Sequence, residues 1–154
     1  MPTSKLPLKE NVQITHIRNG KVLSQKTISN LVTTAGKEAS ANRLGGLLST
    51  PAWTYIALGT GSAAPAISDT ALGSEITTGG GARAAATVSL TTTDTTNDTL
   101  RLEKLFTFSG TFTVSETAVF NNASGATMLN RALIGPYAVT FGDTLIVVHL
   151  FDLD

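Results

Sequence analysis

"TLRLEKLFTFSGTFTVSETAVFNNASGATMLNRALI", residues 99–134, decides the fold. It divides into the segments "TLRLEKLFTF", "TFTVS", "TAVFN" and "TMLNRALI", with "SG" and "NNASG" as separators. β-Branched and aromatic residues suit a pleated, half-buried surface, and Gly, Asn and Ser clusters supply turns, so the stretch reads as successive antiparallel strands. The same punctuation continues outward. "RAAATVSLTT" (83–92) precedes it across "TDTTND", and "DTLIVVHLFDL" (143–153) follows it across "GPYAVTFG". In the last segment Leu145, Val147, His149 and Phe151 alternate with Ile146, Val148 and Leu150. Both faces are apolar enough for a central strand or one covered by a subunit.

The N-terminal half supplies the remaining elements. In "NVQITHIRNGKVLSQKTI", Asn19-Gly20 stands between two half-apolar segments, which predicts a hairpin with strands near 12–18 and 21–28. "NLVTTAGKEASANRLGGLL" is the one helical candidate: Thr33 or Thr34 can cap it, alanines favour it and Gly45-Gly46 stops it, giving a span of 34–45. "WTYIALG" (53–59) alternates like a strand, and periodicity then vanishes through residues 59–82, a long loop of the kind usually functional or shaped by a partner. Residues 1–11, with two prolines and several charges, read as an extended arm, and 12–154 as a single domain. The fold class expected is mainly β: an antiparallel, jelly-roll-like β-sandwich of about eight or nine strands with one short helix.

Composition narrows the function classes. Charged residues make up only 14% and threonine fills 25 of 154 positions, so hydroxyls and small side chains dominate the surface. Eleven basic and eleven acidic residues cancel, leaving no net field to steer the chain to nucleic acid or to an anionic membrane. Cysteine is absent, so thiolate chemistry and disulfides are excluded. The longest apolar run, "LIVVHLF" (145–151), is too short for a membrane helix. "MPTSKLPLKENVQ" has no apolar h-region, which predicts synthesis in the cytoplasm.

Motifs that carry chemistry are sparse. "LGTGSAAP" (58–65) lacks the Lys-Ser or Lys-Thr of a phosphate loop and the third glycine of a dinucleotide site, so its glycines read as a tight turn. His16 and His149 have no metal-ligand spacing, and "DTTND" (94–98) lacks the glycine and terminal glutamate of a calcium loop. Glu75, Glu103 and Glu116 are the acids best placed for acid–base work, yet nothing pairs them and most are expected to be solvated. Trp53, Tyr55 and Phe106, Phe108, Phe112 and Phe120 follow the alternation of a sandwich core. No catalytic, cofactor-binding or metal-binding residues are assigned, and no enzymatic activity is expected.

Three blocks carry a resemblance: "HIRNGKVLSQKTISNLVTTAG" (16–36), "YIALGTGSAAPAISDTALGSEI" (55–76) and "VSETAVFNNASGATMLNRALI" (114–134). In this order the chain resembles a family of small structural proteins of tailed bacteriophages. Its members share an N-terminal hairpin running into "NLVTTAG", a strand ending in "ALGTG", an "AP...DTALG.E" loop and a hairpin of the type "ITEAGLFN...SGGTMLAR". The departures are Thr117-Ala118-Val119-Phe120 for Ala-Gly-Leu-Phe, and Gly125-Ala126-Thr127-Met128 for Gly-Gly-Thr-Met. The resemblance implies a non-enzymatic, multicopy virion component. The first expectation is a capsid decoration (cement) protein that binds the major capsid protein and sister subunits as a homo-oligomer, trimer or higher. A tail, collar or fibre-attachment protein is the alternative, with tail proteins as partners. A carbohydrate-binding host-recognition module, using an exposed Trp53 or Tyr137, is a further reading. The candidate assembly surface comprises Pro2, Leu6, Pro7 and Leu8 of the arm, Pro65 and Ile67 of the loop, and Trp53 and Tyr137.

Overall fold

The computed structural model describes residues 9–153. The chain runs β1 (Lys9–Arg18), β2 (Lys21–Ser29), β3 (Leu31–Val32), α1 (Thr34–Leu44), β4 (Tyr55–Gly59), β5 (Ala84–Ala85), β6 (Thr87–Thr91), β7 (Thr99–Thr107), β8 (Phe112–Phe120), β9 (Met128–Val139) and β10 (Thr144–Asp152). The strands form two five-stranded antiparallel sheets, β2-β1-β10-β7-β6 and β3-β9-β8-β4-β5. This is the mainly β sandwich with one short helix that the segment pattern implies.

Local chemistry accounts for the connections. Asn19 and Gly20 both take positive φ, 51° and 73°, which turns β1 into β2 without splaying the pair. Thr33 caps α1: its Oγ1 accepts from Gly36 N–H at 2.9 Å and donates to the Met128 carbonyl at 2.7 Å, so one side chain starts the helix and ties it to β9. Gly45 closes the helix through its N–H to the Ala41 carbonyl.

Three segments differ from the sequence expectation. Residues 9–11, assigned to the arm from their charges, belong to β1, because Lys9, Glu10 and Asn11 have ladder partners in Asp152, Phe151 and Leu150. "TFTVS" and "TAVFN" are one strand, β8, whose register shifts between Val114 and Glu116 instead of breaking. β9 continues through Gly135-Pro136 to Val139, so most of the expected separator "GPYAVTFG" is strand. Propensity marks these positions as turns, but pairing with a neighbour satisfies their backbone groups as well as solvent would.

The core lies between the sheets. Val12, Ile14, Leu102, Phe106, Leu145, Val147 and Phe151 from the first sheet meet Ile56, Leu58, Val114, Val119, Ala132 and Ile134 from the second. One polar chain crosses it. Val119 N–H donates to Asn130 Oδ1 at 2.9 Å, and the Asn130 amide lies 3.2 Å from His149 Nδ1. His149 Nε2 lies 3.2 Å from Thr117 Oγ1, which donates to the Ala57 carbonyl at 2.9 Å. Every group is satisfied only when the neutral imidazole carries its proton on Nε2. Complete burial, the cause of the shift, pushes the His149 pKa down to about 3 from 6.5.

Glu10 is the opposite case. Its carboxyl is buried on the inner face of β1 and neither oxygen has a hydrogen bond of ordinary geometry. Desolvation pushes its pKa from 4.5 up to about 8, against the weaker pull of the nearby Asn130 amide and the Lys37 charge. The folded chain therefore binds a proton at Glu10 that the unfolded chain loses above pH 4.5, and this contribution to stability is full below 4.5 and lost as pH rises to about 8. His149 works in reverse: its contribution is full above 6.5 and lost as pH falls towards 3. Thermal melting should accordingly show a Tm that changes little from pH 5 to 6.5, where the two contributions offset each other, and falls from pH 6.5 to 8. The Glu10→Gln variant should flatten that limb and melt higher than the parent at pH 8. A parent Tm constant across this range, unchanged by the substitution, would refute the assignment.

Candidate functional site

The outer face of the second sheet is where the long loop packs. Ala57 of β4, Ala118 and Phe120 of β8 and Met128 of β9 form a second apolar cluster capped by Leu72 from the loop, with Tyr55 and Ala126 at its margin. Beside this cluster, on the same face, stand Glu116 and Arg131. Their ladder partners are Leu133 and Ala118, so the two residues are a diagonal pair two positions out of register, within reach of long side chains. Arg131 Nε and Nη2 lie 2.8 and 2.7 Å from Glu116 Oε2. Glu116 is fully buried and Arg131 nearly so.

Burying a carboxylate is costly unless donors replace its water, and here the loop supplies them. Glu116 Oε1 accepts from the backbone N–H of Gly61 at 3.0 Å and of Ser74 at 2.9 Å, and Oε2 accepts from Gly73 N–H at 3.0 Å. Burial alone would raise the Glu116 pKa; the Ser74 and Gly73 amides together with Arg131 outweigh it and hold the carboxyl below its ordinary value. Arg131 in turn reaches Asp69 Oδ2 at 2.8 Å and the Ala63 carbonyl at 3.0 Å. Asp69 Oδ2 also accepts from Ala66 N–H at 2.9 Å, and the Ile67 carbonyl accepts from Thr34 N–H at 2.7 Å. Both arms of the loop are thus fastened to one ion pair and to the first turn of α1.

The backbone approaches the carboxylate so closely that side chains have no room. A Cβ on Gly59 or Gly61 would collide with Glu116 Oε1. The glycines of "LGTG" are therefore neither a phosphate cradle nor only a turn; they give the loop access to Glu116. Further along, Glu75 pairs with Arg83 at 2.7 Å, and the Arg83 guanidinium lies 3.5 Å from the centroid of the Phe120 ring. A separate ion cluster fixes the β9–β10 turn: buried Asp143 meets His16 Nε2 at 3.0 Å and Arg18 Nη2 at 2.7 Å. These contacts, Arg18 first, hold the Asp143 carboxyl well below the usual carboxylate range.

The residues singled out from sequence do not form one surface. Pro2, Leu6, Pro7 and Leu8 lie outside the described residues. Ile67 is 57% exposed and Pro65 half-buried, both on the loop held by Arg131. Trp53 and Tyr137, expected as exposed aromatics, are instead core residues at 8% and 4% exposure, although Trp53 also lines the wall of an apolar pocket. Trp53 belongs to the main core cluster, and the Tyr137 ring stands edge-on to His16 at 5.9 Å. Neither offers the free ring face on which the carbohydrate reading depends. Of the three acids best placed for acid–base work, Glu75 and Glu103 form ion pairs with Arg83 and Arg101, and Glu116 is the centre of the clamp.

Chemically, the Glu116 carboxylate is saturated by three backbone donors and a guanidinium, so its role is to organise backbone. Among the described residues no group of three or more His, Cys, Asp or Glu side chains is placed to hold a metal ion. No protein-family model, curated protein or solved structure matches this chain.

Removing Arg131 leaves the Glu116 carboxylate buried without a counter-charge and Asp69 without its guanidinium partner. Arg131→Met should cost about 3–5 kcal/mol, seen as a lower urea midpoint, and should open residues 60–83 to limited proteolysis. The Glu116→Gln, Arg131→Met double variant should cost clearly less than the sum of the single changes. Strict additivity would show that the two side chains act independently.

Proposed function

We propose that the chain is a non-enzymatic structural component of a bacteriophage virion, a capsid decoration protein that binds the shell and sister subunits. The observation that carries this reading is the convergence of the resemblance blocks on one structure. Gly59 and Gly61 come from "ALGTG", Asp69 and Gly73 from "DTALG", Glu116 from "SETAVF" and Arg131 from "TMLNR", and all meet at the Glu116 carboxylate or the Arg131 guanidinium. Residues far apart in sequence are used together to hold a surface loop in one shape. That is the requirement of a docking loop, because a loop ordered before contact loses little conformational entropy on binding.

The displayed surface fits such a role. Ala63, Ala64, Ala66, Ile67 and Ser68 are exposed along the loop, and small uncharged side chains lose little hydration when covered. The chain's balanced charge leaves recognition to shape and apolar contact. The rival within the same class, a tail, collar or fibre-attachment protein, would use the same loop against a different neighbour.

Quantitative mass spectrometry of purified particles separates these cases. Copies in the hundreds support decoration, about a small multiple of three or six supports the tail or collar reading, and absence from particles overturns both. In the first case Ile67→Asp should reduce the copy number severalfold while leaving Tm within about 0.5 kcal/mol equivalent of the parent, because the side chain is exposed.

A further inference from the structure

The sandwich is open at the end where β1 begins and β10 stops. Trp53, Leu100, Leu129 and Phe151 line an apolar pocket of about 280 Å³ there, with Leu44 and Leu153 at its rim. Leu44 is 90% exposed and Leu153 56%, and Leu90, 60% exposed, lies across the ladder from Leu100. An apolar hollow with an apolar rim left in water marks a contact surface.

The register identifies an occupant. Lys9 pairs with Asp152, so the described part of β1 begins beside Leu153, at the mouth of the pocket. The segment before Lys9 carries two leucines, Leu6 and Leu8, spaced to place both on one side of an extended chain. β2 stops pairing with β1 at Asn11, and Pro7 has no N–H to give to a ladder. The residue before a proline is biased towards extended backbone, so the Leu6-Pro7 sequence disfavours a tight turn back into the chain's own pocket. Eight residues reach at most about 26 Å, enough to cross to an adjacent molecule.

We infer that this pocket receives the Leu6-Pro7-Leu8 segment of a second copy of the chain, so that copies link arm into pocket. The inference deepens the reading of the chain as a multicopy building block and rests on it. It is tested with purified protein alone, so its failure is separable from failure of the virion assignment, which particle composition decides.

Trp53 is the only tryptophan and reports on the pocket directly. Sedimentation velocity of the full chain over a concentration series should show self-association, with Trp53 emission shifting in step. The Leu6→Asp, Leu8→Asp double variant should weaken association at least tenfold. So should Leu44→Asp, which alters an exposed rim residue and leaves the fold intact, as circular dichroism would verify. Mixing the two variants should restore association, since one keeps its pocket and the other its arm. A parent that stays monomeric, an arm variant that associates normally, or a mixture that fails to associate would overturn the inference. So would a Trp53 shift that depends on Leu6 and Leu8 but not on concentration, which would mean that the chain's own arm fills the pocket.

Discussion

The Glu116 carboxylate is buried where water cannot reach it, and much of the second half of the structure follows from that constraint. An ionised carboxyl in such a place must find several donors, and a single arginine leaves part of its capacity unfilled. The remaining donors are backbone N–H groups of the loop, which Leu72 also anchors against the sheet. Close backbone approach requires glycine at 59 and 61, and Arg131, already committed to Glu116, extends the same network to Asp69 and the Ala63 carbonyl. The loop thereby becomes a third layer over the outer face of the second sheet, sealing the Phe120 and Met128 cluster with Leu72.

Polar burial recurs in the main core with a different balance. The path from Val119 through Asn130, His149 and Thr117 to Ala57 joins β4, β8, β9 and β10 by hydrogen bonds that are each made once, so a neutral histidine fits without an unpaired group. Glu10 stays neutral because the nearby Asn130 amide and the Lys37 charge do not offset the cost of its burial. The contrast shows that the number and direction of donors, and not burial alone, decide whether an acid is kept as an anion. Glu116 and Glu10 have similar exposure and opposite shifts.

These internal arrangements bear on assembly. A domain with few charges has little long-range field, so any contact it makes rests on shape and apolar surface. Shape is reliable only where the backbone is held. The clamp holds a loop of small residues, and the open end of the sandwich holds an apolar pocket walled by both sheets and α1. The tethered loop and the apolar pocket are thus two separate surface features of one domain.

Much of the fold was legible in residues alone. Alternation at Leu145–Phe151, the Asn19-Gly20 turn and the Thr33 cap act over a few residues, and local sterics and hydrogen bonding are enough to predict two strands, a hairpin and a helix start. The candidate site was not legible in the same way. Glu116 looked like a solvated strand residue, because nothing within ten positions on either side reveals that Gly61, Gly73 and Ser74 will arrive above it. Trp53 and Tyr137 looked available for contact because aromatic residues serve cores and surfaces alike, and only packing decides between them. β9 crossed a predicted break because β8 was there to pair with it. The sequence by itself determined the elements, through interactions confined to neighbouring residues. Tertiary structure alone decided which charges are buried, which glycines touch them and which face the loop covers, since those depend on atoms brought together across 43 to 62 residues of chain.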